Sequence, residues 1–169
     1  LASSAASDVY KRQQVSVGIA DMKILRQEGT LITYALGSCI GITFYDPVIK
    51  LGALLHIMLP EAGVTNVNPM KFADTGIRET LRKFYVFGGM KGRIVCKIAG
   101  GAKMFEMKGQ GGFGNIGERN IQSVKKVLRQ EGIRITGEDT GANYARTMLM
   151  DLSSGEVRIR TVGKSERII

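Results

Sequence analysis

"LITYALGSCIGITFYDPVIKLGALLHIML", residues 31–59, carries the only histidine of the chain, His56, and one of its two cysteines, Cys39. Its pieces "TLITYAL", "CIGITFYD" and "LGALLHIMLP" are rich in Ile, Thr, Tyr and Leu and are broken by glycine and Asp-Pro, the pattern of short strands. If Asp46-Pro47-Val48-Ile49 is a four-residue loop, with Asp first and Pro second as a type I turn prefers, Tyr45 pairs with Lys50. The same ladder then sets Cys39 opposite His56 on one face, with β-carbons ~5 Å apart. A slip of one residue puts them on opposite faces, so the register of this hairpin decides both the fold and the site.

Outward from this stretch, "VSVGIADMKIL" adds β structure, and the first third reads as antiparallel sheet. In "NPMKFADTGIRETLRKFYVFGG", Asn68 is an N-cap, Pro69 opens the first turn, and Phe72, Ala73, Ile77, Leu81 and Phe84 recur at helical spacing until Gly88-Gly89. "GRIVCKIAGG" is a strand, and a second helix is expected over 117–131, with Ile121, Val124 and Leu128 on one face and Gly132 as its stop. "IRITGEDTG", "ARTMLMDLS" and "EVRIRTVG" complete the chain as strands, the last two joined at Ser-Gly as a hairpin. The order predicts an α/β fold: a single-domain layered α/β sandwich of mostly antiparallel or mixed sheet, with two main helices covering one sheet.

At 169 residues, 44% hydrophobic and 23% charged, the chain suits one globular domain with its own core. Residues 1–13, small, polar and without period, are expected to be a disordered or non-native leader, leaving 14–169 as the folded domain. No signal peptide and no apolar run long enough for a membrane helix is seen, and two cysteines without secretory features read as free thiols. The expectation is a soluble cytoplasmic protein with no membrane insertion. The formal charge of +9 falls only to +8 without residues 1–13, which hold Lys11 and Arg12 against Asp8. Such a balance suits acidic partners, but the cations are scattered as on a solvated face and no nucleic-acid partner is expected.

Two cysteines and one histidine, with no CxxC or HExxH spacing, do not make a metal site, and none is expected. Gly109, Gly111 and Gly114 spell GxGxxG, but "AKMFEMK" separates them from the preceding strand and no βαβ unit surrounds them, so a loop leading into a helix is the better reading than a dinucleotide turn. Cys96, in phase with Ile94 and Ile98, reads as a core residue. Cys39 differs: it follows the Gly37-Ser38 turn signal and precedes Gly41, so its sulfur is reachable and neighbouring N–H groups can converge on one point as an oxyanion hole.

A thiol of ordinary pKa is only a few per cent thiolate at neutral pH, and an adjacent imidazole can take its proton and hold a thiolate–imidazolium pair. Thr33 is the candidate for orienting the ring, since its hydroxyl can accept from the imidazole N–H. On a continuous strand Thr33 and Cys39 would stand roughly 20 Å apart, so a fold-back at Gly37-Ser38, bringing the preceding strand beside the others, is a necessary condition.

In these residues the chain resembles the CheD family of chemoreceptor glutamine deamidases. Besides "LGSCIGI", the blocks "GALLHIMLP", "KIAGGAKMF", "NIGERNI", "GEDTG" and "GEVRIRTVG" are similar to that family's blocks in that family's order. The resemblance implies Cys39 as catalytic cysteine, His56 as catalytic histidine and Thr33 as the orienting threonine, in a relation similar to the catalytic site of the cytotoxic necrotizing factor toxins. It implies a protein-glutamine deamidase acting through a cysteine thioester, without cofactor, on glutamines in the cytoplasmic helical region of methyl-accepting chemotaxis receptors. A minor glutamyl methylesterase activity is chemically consistent with the same thioester. It further implies binding of the CheC phosphatase, and the rival reading is a non-catalytic docking module for CheC or the receptors. One departure stands out: where a stretch like "GGNYGR" is expected, residues 141–146 read "GANYAR", with Ala142 and Ala145. Asn143 and Arg146 are expected to line the cleft without being catalytic.

Overall fold

A computed structural model describes residues 13–64, 68–104 and 115–169. Gly109, Gly111 and Gly114, and the leader up to residue 12, lie outside the described residues. In chain order the elements are β1 (Gln14–Ser16), β2 (Asp21–Arg26), β3 (Thr30–Leu36), β4 (Ile40–Asp46), β5 (Leu51–Ile57), α1 (Ala73–Val86), β6 (Val95–Gly100), α2 (Ile116–Gln130), β7 (Ile135–Thr140), β8 (Arg146–Asp151), β9 (Val157–Arg160) and β10 (Arg167–Ile168). The strands form two five-stranded sheets, ordered β1-β3-β8-β9-β10 and β2-β5-β4-β6-β7. Both are mixed, because β1 runs parallel to β3 and β6 parallel to β7.

Three layers result. Ile40, Ile42 and Phe44 of β4, Leu51, Ala53, Leu55 and Ile57 of β5, and Cys96 and Ile98 of β6 pack against Ile77, Leu81 and Phe84 of α1 and Val124 and Leu128 of α2. The opposite face of the same sheet, including Tyr45, Leu54 and Ala99, packs against Leu31, Leu36, Met148, Met150 and Ile159 of the second sheet. β4 and β5 are therefore buried on both faces, and every one of their residues is buried. This is why residues 40–57 read as nearly continuous apolar runs and hide the alternation that a one-sided sheet would show. The α/β layered expectation holds, with the strands divided between two sheets and the helices covering one of them.

Both helices lie where the periodicity puts them. Asn68 accepts from the Met70 N–H and Pro69 opens a turn, but that turn is a separate 3-10 segment, Pro69–Lys71, and extended Phe72 divides it from α1. Gly88, at φ +101°, ends α1, and Gly132, at φ +72°, follows α2.

The register of the decisive hairpin differs from the expected one. Asp46 pairs with Leu51, Gly41 with His56 and Ile40 with Ile57, so the loop is Pro47–Lys50, one residue later. Asp46 stays in the ladder while its carboxylate accepts from the Val48 N–H at 3.1 Å, and Lys50 takes a left-handed φ of +50° to re-enter β5. Cys39 therefore does not face His56 directly; Gly41 does. Moving the loop by one residue on both strands keeps the faces, so Cys39, Gly41 and His56 still share the side turned toward the other sheet.

The chain passes between the sheets at Val17–Ala20, Gly37–Cys39 and Gly141–Ala145, all at one end of the molecule, and at Gln27–Gly29 at the other. The fold-back after β3 thus moves the chain to the facing sheet rather than to a neighbouring strand. A bulge between Thr33 and Leu36 turns the end of β3, with Ala35 at φ +57°.

Candidate active site

Thr33 and His56 approach from opposite sheets and meet between them, both fully buried. Thr33 Oγ1 lies 2.7 Å from the Val17 carbonyl oxygen and 2.7 Å from His56 Nδ1. A hydroxyl has one proton, and a carbonyl can only accept, so Thr33 donates to Val17 and accepts from His56. This fixes the neutral ring as the Nδ1–H tautomer, with its lone pair on Nε2. Among the described residues, buried Nε2 has no hydrogen-bond partner.

Gly41, opposite His56, makes the meeting possible. A β-carbon there would lie 3.5 Å from Thr33 Cγ2 and 2.8 Å from the Met148 sulfur, so the missing side chain is the space the facing sheet occupies. Cys39, two residues before Gly41 on that face, lies one residue beyond the end of the β4–β5 ladder. It is half-buried and packs at the edge of the inter-sheet core.

The end of β6 straps the cysteine turn. Gly101 N–H donates to the Cys39 carbonyl at 2.9 Å, and Ala102 N–H to the Gly37 carbonyl at 2.8 Å. Gly100 at φ +113° and Gly101 at φ +71° permit this approach, and a β-carbon on Gly100 would strike the Cys39 carbonyl oxygen. The reciprocal bond from the Cys39 N–H is not made among the described residues. That N–H opposes, without outweighing, the burial that raises the thiol pKa.

Burial is the larger influence on both side chains. It pushes the Cys39 thiol up and the His56 imidazole down to about 4. Burial thus favours the thiol and the neutral imidazole over the thiolate–imidazolium pair expected from the residues alone. Cys96, by contrast, is wholly buried on the helix-facing side of β6, and burial drives its thiol far above the usual range.

The chain is similar over nearly its whole length to curated proteins named probable chemoreceptor glutamine deamidase CheD. It is 46% identical to that of Desulforamulus reducens over 92% of this chain and 95% of the relative. It is 48% identical to that of Clostridium novyi, over 94% and 99%, and 45% identical to that of Pyrococcus abyssi, over 89% and 93%. The family model described as CheD chemotactic sensory transduction matches residues 58–161. The chain belongs to the CheD family. The family-model match begins just after His56, but overlaps as long as those with the relatives take in residues 33, 39 and 56.

Of the two residues expected to line the cleft, one falls elsewhere. Arg146 is almost wholly buried and ion-paired to Asp139 at 2.9 Å, so it belongs to the core rather than to a cleft wall. Asn143 is exposed in the Gly141–Ala145 crossover. Ala142 of that crossover, with Gly101, Lys103, Asn115, Gly117, Glu118 and Gly141, lines a cavity of about 340 Å³ beside the strap over Cys39.

One polar residue of this region was not singled out from sequence. Asn120 of α2 is fully buried, and its amide N–H groups donate to the carbonyls of Ser38 and Met58, each at 2.9 Å. Its place in the buried stripe with Gly117, Ile121 and Val124 was the available signal: a polar side chain within an apolar helix face. Among the described residues, no group of three or more His, Cys, Asp or Glu side chains is placed to hold a metal ion. No helix among them is long and apolar enough to cross a membrane.

Proposed function

We propose that this chain is a protein-glutamine deamidase acting on chemotaxis receptors, with Cys39 as nucleophile, His56 as general base and acid, and Thr33 as the group that orients the ring. The observation that carries the reading is the buried imidazole whose Nδ1–H is held by Thr33 and whose Nε2 lone pair is unpartnered. A buried acceptor left unpaired costs stability, and a base awaiting a proton accounts for it.

The thiol of Cys39 attacks the carboxamide carbon of a glutamine side chain while Nε2 takes the thiol proton, so no free thiolate is stored in the resting enzyme. The carbonyl electrons move to oxygen, and the Cys39 N–H donates to that oxyanion. The imidazolium returns its proton to the departing nitrogen, the C–N bond breaks, and ammonia leaves a thioester. Water, deprotonated by Nε2, attacks the thioester, and the thiol is released with glutamate as product. Apart from that water, the groups this mechanism uses are side chains or backbone of this chain.

The names of the relatives supply the receptor substrate. The family resemblance extends the proposal to a CheC-type phosphatase as a second, docking partner in the cytoplasm. The test incubates a receptor cytoplasmic fragment with wild type or Cys39→Ala and follows ammonia release and the mass gain of amide-to-acid conversion on each glutamine peptide. Wild type should convert defined glutamines, and Cys39→Ala should convert none while keeping its circular dichroism spectrum. Conversion by folded Cys39→Ala, or none by wild type, overturns the reading.

A further inference from the structure

The β4–β5 ladder stops at Ile40↔Ile57, one residue short of Cys39. Beyond that rung the two strands diverge. Met58 and Leu59 N–H groups donate to the Lys71 carbonyl, and Leu59 bridges to Phe72, so β5 leaves toward α1. On the other side Gly37 and Cys39 carbonyls are taken by the β6 strap. Past that rung the carbonyls of Ser38, in the cysteine turn, and of Met58, just after β5, receive the two N–H bonds of the single Asn120 side chain. Asn120 Oδ1 has no partner among the described residues and is buried. The amide orientation follows from its neighbours, because two carbonyl acceptors can be met only by the NH2 end.

We propose that Asn120 is a positioning residue: its amide is a side-chain rung that fixes the Cys39 turn against the exit of the His56 strand and so sets the approach of the sulfur to Nε2. Ser38 immediately precedes Cys39, and Met58 lies two residues beyond His56, so the rung ties the two halves of the pair where the backbone ladder no longer does. The consequence is chemical as well as mechanical. The Ser38 carbonyl and the Cys39 N–H belong to one trans peptide and point opposite ways, so holding that carbonyl on Asn120 fixes the direction of the N–H that serves as donor for the oxyanion. A misplacement of about 1 Å between reacting groups costs on the order of 10²-fold in rate, which sets the scale of the expected effect.

This inference rests on the deamidase reading, and a matched control separates the two. Ser123, one turn along α2, donates from its buried hydroxyl to the Pro60 carbonyl at 2.7 Å, a tether of the same kind outside the Cys39–His56 pair. Asn120→Ala and Ser123→Ala should lower Tm alike, by the few degrees that loss of such tethers produces. Only Asn120→Ala should lower kcat, by roughly 10²-fold with KM little changed. It should also move the rate and pH profile of Cys39 alkylation by iodoacetamide toward those of His56→Ala. That arm needs no substrate, so it decides the role of Asn120 even where wild type deamidates no receptor fragment. Should Asn120→Ala not fold, Asn120→Ser retains one donor and should give an intermediate alkylation profile. A folded Asn120 variant with the wild-type alkylation profile and kcat, or Ser123→Ala with the same loss as Asn120→Ala, overturns the proposal.

Discussion

His56 and Arg146 are both buried at the end of the molecule where the chain crosses between sheets, but their polar atoms are provided for in different ways. Arg146 Nε donates to Asp139 at 2.9 Å, Nη1 reaches the Tyr144 carbonyl at 3.3 Å, and the guanidinium lies 4.5 Å from the Tyr144 ring centre. Asp139 takes a second cation, Arg167, at 3.4 Å. His56 has one ring nitrogen bonded and the other bare among the described residues. A satisfied buried ion pair holds a structure together, whereas the unpartnered lone pair of His56 is the cost that its proposed role as base accounts for. From sequence, Arg146 looked like part of a cleft; what removes it from the functional list is the completeness of its partners.

The sharpest way to break this comparison is to substitute both. His56→Gln should lower turnover by about 10²- to 10⁴-fold, the range of general acid–base catalysis, while leaving Tm close to wild type at pH 7.5. Arg146→Met should do the reverse. Leaving Asp139 buried with one distant cation should cost about 3–5 kcal/mol in urea denaturation, while turnover per folded molecule stays at the wild-type level. Turnover lost in a folded Arg146→Met, or preserved in His56→Gln, would erase the distinction.

A second consequence is a pH dependence of stability. The folded His56 titrates at about 4, held down by burial, whereas in the unfolded chain it titrates near its ordinary 6.5. As pH falls from about 6.5 to 4, the unfolded chain binds a proton that the folded protein refuses, so stability falls through that window and levels off below it. The loss attributable to this residue is on the order of 3 kcal/mol. Asp46 acts lower: burial raises its pKa, but hydrogen bonds from Arg93 and from the Met90 and Val48 N–H groups outweigh this and lower it. The measurement is chemical denaturation from pH 7.5 to 4 of wild type against His56→Gln: their difference should be constant above about pH 6.5, and wild type should lose stability relative to the variant as pH falls from there to 4. Parallel curves for the two proteins across the window would show that the imidazole is not refused a proton.

What the sequence disclosed follows from the same physics. Both helices were legible because their apolar periodicity is one-sided, and Cys96 because it shares the phase of Ile98 on a strand whose helix-facing side is apolar. The meeting of Thr33 with His56 was foreseen, but through a neighbouring strand, since nothing local in Gly37-Ser38 says that the chain leaves one sheet for the other. The hairpin register missed by one loop residue because Asp46 serves at once as the last ladder residue and as acceptor in the turn. Asn120 escaped because its two acceptors, Ser38 and Met58, are 82 and 62 residues away in sequence.

The smallest effect concerns Ala142, one of the two residues, with Ala145, at which this chain departs from the glycine-richer stretch expected of its family. Ala142 adopts φ +58°, a left-handed conformation that a β-carbon disfavours by roughly 1–2 kcal/mol. Its carbonyl accepts from the Lys103 N–H at 2.8 Å, which ties the crossover to the strap over Cys39 and holds the backbone in that conformation. Ala142→Gly should release the strain but return about 0.5–1 kcal/mol through the greater freedom of glycine in the unfolded chain, leaving a net stabilisation of about 1 kcal/mol or less. Thermal denaturation should therefore show a Tm higher by a few degrees at most. Ala145 has no left-handed backbone, so Ala145→Gly carries the same unfolded-state penalty without the relief and should lower Tm. Opposite signs for these two neighbouring alanines would show that the methyl group of Ala142 is held in place by the strap hydrogen bond. If both variants are destabilised, the left-handed turn at Ala142 is not a source of strain, and the crossover tolerates alanine there as easily as glycine.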